Sequence, residues 1–221
     1  MFELGIDDVG RGPVIGPMVL AGCLINKKNE SKLKKLGVKD SKLLTKKRRD
    51  FLEEKIKEFS ETYEIIIIYP KEIEKANEKK IKLNEVEAIA CAKIINKINK
   101  GFGKLKIFID CPSVSIIKWS DFLRTKIKNL SNLEINCEHK ADKNHVSVSC
   151  ASILAKSVRE REMDKIKEKY GKNIGSGYCS DPLTTKFLEN HAQKYENDGI
   201  FRKTWVTWKE AYNKVVQKTL V

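Results

Sequence analysis

Phe2-Glu3-Leu4-Gly5-Ile6-Asp7-Asp8-Val9-Gly10-Arg11-Gly12-Pro13 opens on a short apolar run, ends that run on two adjacent carboxylates and turns at once through glycine and arginine. Residues 2–6 read as a strand, so Asp7 and Asp8 fall at a strand end beside backbone amides that glycine leaves accessible. Like charges side by side repel, and a chain tolerates them in water or around a cation. Acids and glycine are also ordinary turn chemistry. Taken alone, the pair leaves both readings open.

Working outward, a second apolar run over 18–25 follows a glycine and proline turn too short for a helix, which predicts an antiparallel pair. Thr45 is placed to cap a helix over 46–59. Residues 63–69 form a β-branched third strand ended by Pro70. Helices over 70–78 and 84–98 come next, then a strand over 104–109 ending at Asp110, a helix over 117–130 and a strand over 133–137. Strand, helix and strand imply a parallel crossover. After the polar stretch 139–144 a long helix should run to Tyr170, with Gly171 as its stop. A loop, Gly175-Ser176-Gly177-Tyr178, precedes a helix capped by Asp181 and begun by Pro182, and the tail over 206–218 reads as helical. The fold class predicted is α/β: a mixed five-stranded sheet flanked by helices. Residues 1–170 are expected to form the main domain and 171–221 a helical C-terminal extension packed on it.

The composition narrows the partner. The 221 residues carry 44 Lys and Arg against 30 Asp and Glu, a net charge of +14, which suits a polyanion such as nucleic acid. No run approaches the roughly 20 apolar residues that span a bilayer, and no export signal is legible, so a cytoplasmic protein without a membrane partner is expected. Six widely spaced cysteines with no Cys-x-x-Cys pair fit a reducing compartment and not a zinc site. A monomer is expected.

Two more acids join the opening pair. If the first and fourth strands are parallel neighbours, Asp7 and Asp110 end side by side. Asp142 lies in the polar stretch before the long helix, where a capping residue is the tamer reading. Four carboxylates gathered at one strand end, in so basic a chain, make a site for hard cations such as Mg²⁺ or Mn²⁺. His139, His145 and His191 lack ligand spacing and read as structural or surface residues. Trp205 and Trp208 read as packing anchors. The spacing Gly10-x-Gly12-x-x-x-Gly16 is no dinucleotide fingerprint, because Pro13 and Pro17 interrupt it and a strand follows.

Several stretches resemble ribonuclease HII, especially its archaeal branch: 5–17, Asp40-Ser41-Lys42-Leu43-Leu44, Ile109-Asp110, His139-Lys140-Ala141-Asp142, 149–156 and Gly175-Ser176-Gly177-Tyr178. They occur in order through nearly the whole chain. The resemblance implies a ribonuclease H-like fold and a metal-dependent endonuclease that cuts the RNA strand of RNA/DNA hybrids and ribonucleotides embedded in DNA duplex. It assigns Asp7, Asp8, Asp110 and Asp142 to the metals. It gives Gly10, Arg11, Gly12 and Tyr178 to the sugar at the ribonucleotide junction, and Ser41 and Lys42 to a backbone phosphate. Lys143 and Lys156 flank the acids and suit phosphate contacts. Asp8 departs from the family pattern, which has glutamate there. Alternatives are an impaired nuclease that only binds nucleic acid, and a different nuclease of the same superfamily.

Overall fold

The protein is described by a computed structural model covering residues 2–38 and 44–219, with side chains described to residue 214. One five-stranded sheet has the order β3-β2-β1-β4-β5, with β1 at Phe2–Val9, β2 at Met18–Asn26, β3 at Thr62–Ile68, β4 at Leu105–Asp110 and β5 at Leu133–Glu138. β1 pairs antiparallel with β2 and parallel with β4, and β4 pairs parallel with β5. Both expected relations hold, and the fold class is the one predicted.

The acids of the opening stretch do not follow β1; they lie inside it. Asp7 stands opposite Ala21 and Asp8 opposite Leu20, so the ladder continues to Val9. Side chains alternate across a strand. Asp7 therefore shares a face with Gly5, while Asp8 shares the other face with Leu4 and Ile6.

Gly5 shows why the first of these faces is built as it is. A Cβ placed there would stand 2.1 Å from both the Ser147 carbonyl carbon and the Val148 nitrogen, so the helix backbone rests directly on the strand. Ser147 reinforces the approach by donating its hydroxyl to Glu3 Oε1 at 2.6 Å. On the other face, Gly22 receives Ile94. The buried residues Leu4, Ile6, Leu24, Ile94 and Ile98 fill the core there.

The helices are α1 at Lys27–Lys35, α2 at Lys46–Phe59, α3 at Pro70–Glu78, α4 at Leu83–Ile98, α5 at Ile116–Arg124, α6 at Ala141–Asn144, α7 at Val146–Tyr170, α8 at Pro182–His191 and α9 at Val206–Thr219. Thr45 and Asp181 cap as expected, accepting from the Arg48 and Leu183 amides at 3.3 and 3.0 Å. Such a cap contributes about 1 kcal/mol. Three readings change. α1 was not anticipated; Asn26 caps it by accepting from the Asn29 amide at 2.9 Å. α5 stops at Arg124, whose Nη2 donates to the Ile135 carbonyl at 3.1 Å while Thr125 Oγ1 turns back onto the Phe122 carbonyl at 2.7 Å. The expected single helix after residue 140 is two, because His145 takes an extended conformation between α6 and α7.

The chain divides into two compact units. One contains Met1–Val9, Val19–Ile66 and Asn84–Val158; the other contains Gly10–Met18, Ile67–Leu83 and Arg159–Val221. The second unit has its own apolar core, built from Val14, Ile15, Met163, Phe187, Leu188, Phe201 and Trp208 among others. All six cysteines are free thiols. No helix among the described residues is long and apolar enough to cross a membrane.

Candidate active site

The parallel register that pairs Ile6 with Ile109 brings Asp7 and Asp110 alongside each other at the next step. Asp142 comes from α6. Lys140, in a left-handed conformation at φ 60°, turns the chain off β5 and into that short helix, where Asp142 is buried. One carboxylate oxygen from each of Asp7, Asp110 and Asp142 lies within 4.8 Å of the others. Local bonds hold the arrangement. The Asp8 amide donates to Asp7 Oδ1 at 2.8 Å, the Ala141 amide to Asp110 Oδ1 at 3.3 Å, and Ser149 Oγ on α7 to the Asp142 carbonyl at 2.6 Å.

Asp8 is not part of that group of three. Its charge is felt on both sides: after burial it is the next influence that holds the Asp7 carboxyl up, and it follows burial and Glu87 among those that push the Cys91 thiol up.

Three oxygen donors without a thiolate or imidazole form a donor set for a hard divalent cation. The electrostatics of the metal-free protein agree. The Asp7 carboxyl is held well above the usual carboxylate range, first by burial, then by Asp8 and Asp110, against hydrogen bonds from Ser152 and the Asp8 amide. A cation would relieve this repulsion.

An acid with a raised folded-state pKa keeps its proton in the folded chain where the unfolded chain has lost it. Its favourable contribution is full below about 3.8, the unfolded value, and is lost as pH rises through the raised folded value. In chelator, the stability of the wild-type protein relative to Asp7→Asn is therefore expected to fall as pH rises out of the acidic range. Denaturant titrations across that range provide the check. A difference that stays flat with pH would mean that Asp7 carries no such penalty.

The histidines nearest the acids are tied down. His139 Nδ1 lies 3.1 Å from the Cys111 carbonyl. His145 Nε2 lies 3.2 and 3.3 Å from the two Glu138 carboxylate oxygens, and its ring stacks on Phe108 with centroids 3.5 Å apart. Glu138 is the register partner of Asp110. This packed pair was not singled out from sequence, where His145 has neither spacing nor motif to mark it.

In the second unit the glycine turn and the tyrosine loop are joined through backbone. The Gly177 carbonyl accepts from the Val14 and Ile15 amides at 2.9 and 3.2 Å. Gly10 has φ 86°, and a Cβ there would strike the Arg159 side chain at 2.3 Å. Gly12 is different: a Cβ would meet nothing within 4 Å, and its φ is not positive, so the fold itself does not require glycine there. Arg11 is half-buried. Tyr178 is 39% exposed, with the Arg159 guanidinium 5.1 Å from its ring centre.

Arg159 is only 6% exposed, donates through Nη2 to the Ser176 carbonyl at 3.4 Å, and leaves Nε without a hydrogen-bond partner. Sequence reading missed it, since nothing local distinguishes one arginine in a charged helix. Its lowered pKa, caused by burial, still leaves a cation at neutral pH. Lys143 is exposed on α6 next to Asp142, and Lys156 is half-buried on α7. Ser41 and Lys42 lie outside the described residues.

Comparison with known proteins places these features in a family. The profile described as Ribonuclease HII matches residues 4–208. A ribonuclease HII of Methanococcus maripaludis is 43% identical over 220 residues, covering 98% of this chain and 90% of that protein. That of Methanocaldococcus jannaschii is 40% identical over 233 residues, covering 100% and 99%. The crystal structure of ribonuclease H2 from Pyrococcus horikoshii superposes with a TM-score of 0.87 at 36% identity, over 98% of this chain and 100% of that one. Family membership fits the sheet order, the gathered acids and the net charge of +14 together: this chain belongs to the ribonuclease HII family and is a metal-dependent endoribonuclease.

Proposed function

We propose that the protein hydrolyses the RNA strand of RNA/DNA hybrids and ribonucleotides embedded in DNA duplex, leaving a 3′-hydroxyl and a 5′-phosphate, with Mg²⁺ or Mn²⁺ held by Asp7, Asp110 and Asp142. The convergence of these three carboxylates within 4.8 Å carries the reading. A pair of divalent ions at such a site supplies activation of water for in-line attack and neutralises charge on the leaving oxygen. The protein's own share is to fix the acids through the Asp8 and Ala141 amides and to hold the sugar and phosphates in register.

For sugar recognition the open space at Gly12 is the supporting observation. A glycine that the fold does not demand suits a ligand that must approach the backbone, as a ribose 2′-hydroxyl does. Gly10 shapes the same turn. Arg11 suits an adjacent phosphate. The exposed ring of Tyr178, backed by Arg159, offers a face for the neighbouring deoxyribose and a phenol for the 2′-hydroxyl. Lys143 and Lys156, and Ser41 and Lys42 by family resemblance, suit backbone phosphates that position the duplex without reading sequence.

A duplex with one ribonucleotide, an RNA/DNA hybrid and an all-DNA duplex, each with Mg²⁺ or Mn²⁺, test this directly. Cleavage of the first two and not the third is expected. Asp8 supports a second reading, of an impaired enzyme, because its shorter carboxylate stands outside the group of three. Asp8→Glu is expected to raise the single-ribonucleotide rate about tenfold, about 1.4 kcal/mol off the barrier. Tight binding of all hybrids without cleavage in either metal would replace the enzymatic reading by a noncatalytic one.

A further inference from the structure

Arg202 is the largest fully buried side chain among the described residues. A guanidinium out of water requires acceptors, and its planar fork can hold several at fixed angles. Arg202 finds them in one short piece of backbone. Nη2 donates to the Gly10 carbonyl at 2.5 Å and the Gly16 carbonyl at 3.0 Å, Nη1 to the Arg11 carbonyl at 2.6 Å, and Nε to the Gly16 carbonyl at 3.1 Å. Trp205 completes the grip, donating Nε1 to the Gly12 carbonyl at 3.1 Å, with the guanidinium 5.1 Å from its ring. Three successive carbonyls, Gly10 to Gly12, are thus held by two side chains.

The holding segment is itself fixed to the far side of the same turn. The Arg202 amide donates to the Val14 carbonyl at 2.8 Å, the Gly16 amide to the Ile200 carbonyl at 2.9 Å, and Ile15 bridges Phe201. What is held has a solvent side: Gly12 is exposed and Arg11 half-buried. Arg202 takes the carbonyls of buried Gly10 and Gly16 and of half-buried Arg11, and Trp205 takes that of exposed Gly12, so the turn is gripped along its inner side while Gly12 stays open to solvent.

We propose that Arg202 and Trp205 are positioning residues for ribose recognition. Because each peptide unit is planar, fixing a carbonyl also fixes the next residue's N–H. Grips on the Gly10 and Arg11 carbonyls aim the Arg11 and Gly12 amides; the grip on Gly12 stops the turn pivoting before Pro13. Glycine has the widest backbone freedom of any residue, so a Gly-x-Gly reader left to itself would lose selectivity to conformational entropy on binding. The clamp removes that freedom before the sugar arrives. This rests on the reading of Gly10-Arg11-Gly12 as the sugar contact.

The test is binding in Ca²⁺, comparing a duplex with one ribonucleotide against the same duplex in all-DNA form, for wild type, Arg202→Lys, Arg202→Gln and Trp205→Phe. The preference ratio is the readout, because partial unfolding lowers both affinities equally and cancels. Wild type is expected to prefer the ribonucleotide at least about tenfold, about 1.4 kcal/mol. Arg202→Lys, which keeps the charge and loses the fork, should reduce the preference below twofold, as should Arg202→Gln. Trp205→Phe should halve the preference or more; it keeps an aromatic ring and decides the matter if the Arg202 variants do not fold. A wild-type preference retained in full by folded variants overturns the clamp alone. A wild type that binds both duplexes alike overturns the sugar-reading turn, and the clamp with it.

Discussion

Asp110→Asn is expected to lower kcat on a duplex carrying one ribonucleotide by about 10³-fold, the loss of several kcal/mol of charge stabilisation, while raising the melting temperature of the metal-free protein. Both effects follow from the same geometry. Asn is isosteric and can still accept the Ala141 amide at the oxygen that now receives it. The substitution deletes a charge that holds Asp7 in its unfavourable state, after burial and Asp8. For a domain of this size each kcal/mol of relief is worth about 2–4 °C. Calorimetry in chelator and single-turnover cleavage read the two effects separately. A residue needed for the fold would lose activity and stability together; a cation ligand loses one and gains the other. Unchanged cleavage in Mg²⁺ would remove Asp110 from the mechanism.

Gly5→Ala is expected to be the most damaging single methyl group added to β1, at more than about 3 kcal/mol, the upper end of ordinary overpacking. The reason is what the methyl would meet. At Gly22 the nearest atom is a methyl group of the Ile94 side chain; at Gly5 it is the Ser147 and Val148 backbone, which cannot move without the whole of α7. Thermal denaturation should show a fall of about 10 °C or a failure to fold, against a smaller fall for Gly22→Ala. If Gly5→Ala does fold, α7 will have withdrawn and taken Ser152 from Asp7, so cleavage should drop as well. Equal melting temperatures for the two glycine variants would mean that the strand and helix are not in backbone contact.

Periodicity carried much of the architecture. β-branched and apolar runs, glycine and proline breaks and capping residues were enough to anticipate the five strands, the antiparallel β1–β2 pair and the parallel β4–β5 crossover, while the meeting of Asp7 with Asp110 followed only if β1 and β4 were parallel neighbours, as they are. α1 escaped because its one buried residue is Leu33 in a lysine-rich segment, so no apolar stripe exists to be seen. The break at His145 escaped because it depends on ring stacking with Phe108 and on Glu138, contacts formed across strands. That β1 continues through Asp7 and Asp8 escaped because two carboxylates before a glycine look like the end of a strand, and only the pairing with Ala21 and Leu20 shows otherwise. Arg202 was not singled out from sequence. Its acceptors lie nearly the whole chain away, and no local pattern announces a side chain whose partners are backbone carbonyls.

The continuation of β1 through Asp7 and Asp8 also limits how this protein can diverge. Substitutions within the first nine residues change one side chain each, but an insertion or deletion between Gly5 and Asp7 changes parity. With the strand held in place at Gly5, one residue more or fewer would carry Asp7 to the α4 face, and the glycine turn would arrive a step early or late. Relatives can be expected to vary the spelling of this segment far more readily than its count.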